Sequence, residues 1–305
     1  MSSLIETWRG EALAWEADEL GHMNMRYYFA RALQARAALA QILGLPSLYK
    51  DKSLSSMIPT RQHIKYLSEM RPGQGMAVKS GVLEIGEDDI TLIHLITGQD
   101  ENPSATIIET LTHVSVRSER PFSWPQSVLD KANELIIEMP ELAKPRNVDL
   151  KDYGTATNMG EADTLKLPVI GRGMFMPAEC DVFGYVLPTA IIGRVSDSVQ
   201  HLKTGWPDLD FTSDDGLSGA LLEACARHKN RPRAGDLYVM RSGLRSANTH
   251  IRDICHWILD PVSGKCWSSF VGVGCRFNLK TRRLIKVDAD TVSMLERGIV
   301  KNLHP

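Results

Sequence analysis

The chain has 305 residues, 43% of them hydrophobic and 24% charged, with a formal net charge of −2. This is globular composition, sufficient for a large core or for two domains. The balance of charge excludes a global field that would draw the protein to nucleic acid or to an acidic membrane. The five cysteines, Cys180, Cys225, Cys255, Cys266 and Cys275, are odd in number and include no C-x-x-C pair. They read as reduced, buried thiols, not as a disulfide frame or a zinc site. The N-terminal Met-Ser-Ser-Leu-Ile-Glu-Thr-Trp-Arg lacks a basic region followed by an apolar one, as a signal peptide would have. No run of about 18 apolar residues occurs to span a membrane. The expectation is a soluble, cytoplasmic protein.

From the N-terminus, Leu13 and Trp15 alternate within 11–17, which suits a strand. A polar turn, Gly21 to Asn24, follows. Tyr27, Tyr28, Ala30, Leu33, Ala37, Ala38, Ala40 and Leu43 then keep a helical period. Asn24 is placed to cap this helix, Gly44 to end it, and Pro46 lies beyond. The many alanines predict a thin helix lying close against a flat surface such as a sheet. Four β-branched stretches come next, 56–68, 76–85, 90–97 and 105–116, broken by turn residues at 71–75, 86–89 and 99–103. Short breaks between such stretches predict hairpins in an antiparallel sheet. A short helix is expected from Pro125 to Ile137. The stretch 140–166 is rich in Pro, Asn, Asp, Gly and Thr and reads as a linker.

The second half repeats the first. Glu179, Asp181 and Gly184 align with Glu16, Asp18 and Gly21, and a helical pattern follows at 190–203. Arg231-Pro-Arg-Ala-Gly235 aligns with Arg71-Pro-Gly-Gln-Gly75, and His256 in the strand 251–259 falls opposite His94. A short amphipathic helix is expected at 288–302. The domain reading is therefore a first unit at 1–120, a helix and linker at 121–166, a second unit at 167–280 and a helical tail at 281–305. One sheet folded on one helix leaves an open strand edge, a liability that a second copy can cover.

The chemistry concentrates at Asp18, Gly21, His22 and Asn24. A carboxylate at the mouth of a helix can attack a carbonyl or activate water. The helix N-terminus offers free amides and a favourable dipole to an oxyanion, and Gly21 lets backbone approach a substrate closely. Asp18 can equally be a turn residue bonded to local amides, Asn24 only a cap, and His22 a packed imidazole. The second copy keeps Asp181 and Gly184 but has Tyr185 and Leu187 in place of His22 and Asn24, so one site on the first unit is expected. In the second helical pattern, Arg194 and Asp197 form either an ion pair or a solvated face. His94 and His256 suit core or sheet positions better than metal ligation, and no spacing supports a metal site. Gly272-Val-Gly274 reads as a bulge or a close sheet contact.

Strand, D-x-x-G-H-x-N, long helix and four strands resemble the hotdog-fold acyl-CoA thioesterases, closest to the 4-hydroxybenzoyl-CoA thioesterase-like branch. The two-unit form resembles the double hotdog acyl-ACP thioesterases. The resemblance covers most of the chain apart from the linker and the tail. It implies an α+β fold of two tandem hotdog units, each a long central helix wrapped by a curved antiparallel sheet, the two joined into one continuous sheet. It also implies hydrolysis of an acyl thioester of coenzyme A or acyl carrier protein, without cofactor or metal. Asp18, His22 and Asn24 would be catalytic. Gly21, Met23, Tyr27, Arg194 and Asp197 would line the substrate site, with Asp181 and Gly184 as its pseudo-equivalent. The chain would be a monomer with a dimer-like core, or a homodimer. The alternatives are a hotdog dehydratase or hydratase, which the D-x-x-G turn fits poorly, and a non-catalytic acyl-CoA-binding module.

Overall fold

The first strand lies earlier in the chain than the alternation at Leu13 and Trp15 places it. In the computed structural model, which describes residues 3–154, 156–204, 217–278, 280, 281 and 283–305, strand β1 is Ile5–Glu11 and Ala14–Glu16 form a 3-10 turn. Trp15 is exposed while Glu16 is buried, so the alternation there belongs to a turn, not to a pleated surface. Helix α1 (Met25–Ile42) begins where Asn24 Oδ1 accepts the amide of Arg26 at 3.1 Å. Gly44, at φ +93°, follows it in the left-handed region, which glycine enters without steric cost.

Strands β2 (Ser55–Tyr66), β3 (Gly75–Ile85), β4 (Asp89–Gly98) and β5 (Pro103–Ser115) complete the first sheet, and α2 (Gln126–Glu134) follows. The order in this sheet is β1-β3-β4-β5-β2, antiparallel throughout. Hairpins therefore join β3 to β4 and β4 to β5, but not β2 to β3. The segment 67–74 carries the chain across the sheet, and β2 pairs with β5 in the register Ile64↔Ile107. Helix α1 lies on β1, β3, β4 and β5. Its Leu39, Ala40 and Leu43 pack with Val82, Ile90, Leu92 and Leu111 of the sheet and with Trp124, Val128 and Ala132 around α2. The buried face of α1 runs through Tyr28, Ala32, Ala35, Leu39 and Ala40. Tyr27, Ala30, Leu33 and Ala37 of the expected period are only half-buried, so the alanine pattern locates the helix but not the face it buries. The other face carries a smaller cluster of Ile93, Ile108 and Ala143, joined by Leu4 and Ile137.

The second half of the chain comprises α3 (Met159–Thr164), β6 (Val169–Met174), α4 (Pro188–Asp197), β7 (Leu217–His228), β8 (Leu237–Ala247), β9 (Ile251–Leu259), β10 (Cys266–Asn278), β11 (Arg283–Leu284) and α5 (Ala289–Arg297). The order β6-β8-β9-β10-β7 repeats that of the first sheet, with β11 added on β10. By contacts, residues 1–144 with 180–192 form one unit, and 145–179 with 193–305 the other. The 140–166 stretch is not a bare linker. It holds a 3-10 turn at Glu141–Ala143 and α3, and Val148 and Ala162 join Leu167 and Leu303 against Cys225, Cys255, Trp257 and Val271. Backbone groups anchor it: the buried Glu223 carboxylate accepts the amides of Arg146 at 3.0 Å and Asn147 at 2.8 Å. Such anchoring leaves no periodic side-chain signal.

Two further details differ from expectation. The turn between β7 and β8 matches the first unit two residues later than the Arg-Pro strings suggest. Arg71 N donates to Gln74 Oε1 at 2.6 Å with Gly73 at φ +82°, and Arg233 N to Asp236 Oδ2 at 2.7 Å with Gly235 at φ +92°. Arg71 thus corresponds to Arg233, not to Arg231. Cys180 is half-buried, unlike the other four thiols. The bulge expected at Gly272 to Gly274 lies in β10 between Val273 and Gly274. Among the described residues, no helix is long and apolar enough to cross a membrane.

Candidate active site

The D-x-x-G turn is held by its own aspartate. Asp18 Oδ1 accepts the amides of Leu20 at 2.9 Å and His22 at 3.1 Å. Asp18 N donates to His22 O and Gly21 N to Asp18 O, with Gly21 at φ +73°. Asp18 is only half-buried, and both side-chain hydrogen bonds run to Oδ1, with none to Oδ2 among the described residues. The side chain is therefore fixed by one oxygen and leaves the other available beside the start of α1.

The remaining motif residues surround it. His22 is buried, with Nε2 3.1 Å from Glu69 Oε2. Met23 is buried, and its amide donates to Met70 O at 2.8 Å. Asn24 caps α1 through Oδ1, as its bland reading requires. Tyr27 is half-buried with the Arg26 guanidinium 5.7 Å from its ring centre. The amides of residues 21 to 24 do not meet the expectation that they polarise a carbonyl. Gly21 N and His22 N are bound to Asp18, Met23 N to Met70 O, and Asn24 N to Glu16 O at 2.8 Å. The turn consumes them, because forming it satisfies the amides the sequence offers.

Two neighbours escaped the sequence reading. Tyr28 lies buried on α1, edge-on to Tyr66 at 5.2 Å between ring centres. Burial raises its phenol pKa, and the Asp18 carboxylate adds to that rise. Beneath the turn, Arg31 Nη2 meets Glu16 Oε1 and Oε2 at 2.6 and 2.5 Å, with the guanidinium stacked 4.8 Å over Trp8. The alanine-rich helix gave no sign that an arginine on it faces inward.

The second copy repeats the turn bond for bond. Asp181 Oδ1 accepts the amides of Phe183 and Tyr185, both at 2.9 Å, Gly184 N donates to Asp181 O, and Gly184 has φ +82°. Where His22 stands against Glu69, Tyr185 Oη donates to Glu119. Arg194 pairs with Glu179, fifteen residues back, as Arg31 does with Glu16, and with Asp197 at 3.0 Å. Its guanidinium lies 5.4 Å from the centre of the Tyr238 ring. Other arginines, whose charge could meet the phosphates of a coenzyme A substrate, are engaged or exposed. Arg241 holds Asp163 and Leu167 O, Arg245 is 3.7 Å from Asp253, and Arg71 and Arg233 are exposed.

Beneath α1 runs a buried polar chain that the sequence did not reveal. Thr7 Oγ1 and Ser80 Oγ are 2.7 Å apart, Ser80 Oγ and His94 Nδ1 2.7 Å, and His94 Nε2 and Glu109 Oε2 3.1 Å. Gln62 Nε2 donates to Glu109 Oε1 at 2.5 Å, and Arg36 Nη1 at 3.4 Å. Ser80, His94 and Glu109 are all 0% exposed. Burial would raise the Glu109 pKa, but Arg36, His94 and Gln62 outweigh it and hold the carboxyl at about 2. Serine, histidine and carboxylate here are sealed from water and serve to tie α1 to the sheet. Among the described residues, no cluster of His, Cys, Asp and Glu is arranged to hold a metal ion.

Residues 12–132 match the family model described as the thioesterase-like superfamily. Among solved structures, the chain is similar to an acyl-ACP thioesterase from Bacteroides thetaiotaomicron, with 12% identity over 88% of this chain and 96% of that one and a TM-score of 0.62. It is similar to the 12:0-ACP thioesterase from Umbellularia californica, with 9% identity over 88% and 93% and a TM-score of 0.65. A presumptive oleoyl thioesterase from Lactobacillus plantarum gives 12% identity over 90% and 96% and a TM-score of 0.67. Comparison with curated proteins gives no match. Over residues 12–132 the chain is thus similar to the thioesterase-like superfamily. The chain as a whole has the tandem hotdog fold.

Proposed function

We propose that the protein hydrolyses an acyl thioester, carried on coenzyme A or acyl carrier protein, to a free acid and a thiol. The observation that carries this reading is the half-committed carboxylate of Asp18 at the start of α1, inside the family-matched segment. One oxygen is anchored by two amides, so the other has a fixed direction and needs no reorganisation to react. In the general-base route, Asp18 Oδ2 takes a proton from water as the hydroxide adds to the thioester carbon. The tetrahedral intermediate then expels the thiolate, which recovers the proton. In the nucleophilic route, Oδ2 attacks the carbon itself, and the tetrahedral intermediate expels the thiolate to leave a mixed anhydride. Water cleaves that anhydride to the free acid and the Asp18 carboxylate, with the released proton passing to the thiolate.

The first amide of α1, that of Met25, has no intrahelical acceptor and lies at the positive end of the helix dipole, which suits it to the developing oxyanion. His22, held by Glu69, orients water or substrate beside Asp18, and Asn24 keeps the helix tip in place. Met23 and Tyr27 contribute to the substrate wall. The second turn lacks this set, so Asp181 and Gly184 act as a structural turn, and Arg194 with Asp197 stabilises the second copy.

The test is release of free thiol from a panel of short, branched, aromatic and long acyl-CoAs and acyl-ACPs. Release on at least one substrate is expected. Absence on all of them would make the protein a binding module, as the shared bonding of Asp18 and Asp181 would then suggest. Single-turnover reaction in 18O-water separates the two routes, since only attack by Asp18 places the label in the protein.

A further inference from the structure

A cavity of about 340 Å³ is lined by Ala156, Glu161, Trp257, Asn302 and His304. All five lie within 145–179 and 193–305, the residues of a single unit. The volume is at the lower end of the range for small-molecule sites. Three parts of that unit meet here. Trp257 comes from β9, in the cluster that also holds Val148, Ala162 and Leu303. Glu161 comes from α3, and Asn302 and His304 from the chain after α5. Asn302 has φ +61°, a left-handed bend that asparagine adopts more readily than most residues.

The lining groups are fixed by the protein but not used up by it. Trp257 Nε1 donates to His304 O at 2.9 Å, so the indole donor is spent and the ring offers only its π surface. The His304 ring stacks on Tyr153, with 4.5 Å between centres and 18° between planes. Its Nδ1 is buried and has no hydrogen-bond partner among the described residues. Glu161 is half-buried, and its carboxylate makes no hydrogen bond or ion pair among the described residues. Other carboxylates on the same segments are engaged: Asp163 by Arg241, Asp253 by Arg245, and Asp149 by the Tyr153 hydroxyl at 2.8 Å. The lysine beside the cavity is engaged as well, since Lys229 Nζ donates to Thr157 Oγ1 at 2.8 Å and to Pro305 O at 3.4 Å.

A carboxylate without a counter-ion, beside an indole whose faces carry negative charge, selects for a cation and against an anion. With its proton on Nε2, His304 accepts an N–H at Nδ1, and the Asn302 amide oxygen accepts an N–H or O–H. We propose that this cavity binds a small organic ammonium ion, with the charge set between Glu161 and Trp257. The Asp18 turn belongs to the other unit, and the ammonium site does not depend on the hydrolase reading.

Calorimetric titration of the full chain tests this with four probes: choline, ethanolammonium, acetate, and 3,3-dimethylbutan-1-ol, the uncharged isostere of choline. Choline should bind about ten-fold more tightly than the isostere, and acetate should not bind. Asn158 Oδ1 accepts the Glu161 amide at 2.9 Å, a bond that Glu161→Gln keeps. This variant should therefore melt with the parent, bind both cations about five-fold more weakly and bind the isostere unchanged. His304→Leu should weaken ethanolammonium more than choline, whose nitrogen carries no N–H to donate. Asp18→Asn should leave every affinity unchanged. No binding of either cation, equal affinity for choline and its isostere, or a preference that survives Glu161→Gln intact overturns the proposal. So does binding of acetate, or loss of cation binding in Asp18→Asn.

Discussion

Arg31 reaches back along the chain to Glu16 and places one guanidinium nitrogen on both carboxylate oxygens, with both side chains almost fully buried. The pair joins α1 to the turn that carries Asp18. Glu16→Gln removes the charge and leaves a guanidinium buried without its counter-ion, a loss of about 3–5 kcal/mol. In the second copy, Arg194 retains Asp197 when Glu179 is changed, so Glu179→Gln should cost clearly less. Urea unfolding of the two variants measures the difference. Equal midpoints would show that the first pair carries no special weight.

The two aspartates share a turn but not a chemistry. Asp18→Asn keeps an oxygen to accept the amides of Leu20 and His22 but loses the base or nucleophile, and should lower kcat by about two orders of magnitude or more. Asp181→Asn should lower it far less. Thiol-release assays on both variants, with circular dichroism to confirm folding, decide the matter. Comparable losses at both positions would mean two working sites.

Acid should weaken the first unit through Glu109. Its pKa lies at about 2 in the folded protein, below the ordinary 4.5. A carboxylate with a depressed folded pKa stabilises fully above the unfolded value and loses that contribution as pH falls towards the folded one. The window is therefore from about pH 4.5 down to about pH 2, and the amount is on the order of 2–3 kcal/mol. Denaturant midpoints measured through this window should fall more steeply for the parent than for Glu109→Gln. Parallel curves would show that Glu109 is not the group responsible.

Thiol chemistry should single out one cysteine. Cys225, Cys255, Cys266 and Cys275 are buried, and burial pushes Cys255 and Cys266 up to about 12 and Cys275 up to about 11. Only the half-buried Cys180 should react with a disulfide reagent in the native state, with the other four following on unfolding. Mass spectrometry of the labelled peptide gives the answer, and rapid native labelling at Cys255 would contradict the packing described for β9.

What the sequence disclosed and what it hid follow from the same physics. The bounds of α1 were legible because Asn24 and Gly44 act locally, within a turn of the helix they delimit. The strands were legible from β-branched runs broken by turns. The position of β2 was not, because a break of similar length can form a hairpin or cross the sheet, and only long-range pairing decides. In the site, the Asp18 turn was legible from its spacing. Its consumption of the nearby amides was not, since that depends on Met70 O and Glu16 O. Arg36 and Glu109 were hidden most deeply. Each reads as a solvated polar residue until its partner, 73 positions away, is brought beside it.

Ser80, His94 and Glu109 also bear on how such a protein would be found. Their spacing resembles that of a serine hydrolase, yet the hydroxyl is closed to solvent and its nearest neighbours are another hydroxyl and the imidazole. A fluorophosphonate needs an open line of approach to the oxygen it modifies, and here it has none. Activity-based profiling with serine-directed probes would therefore pass over the folded protein, while a search by geometry alone would select it for the wrong residue.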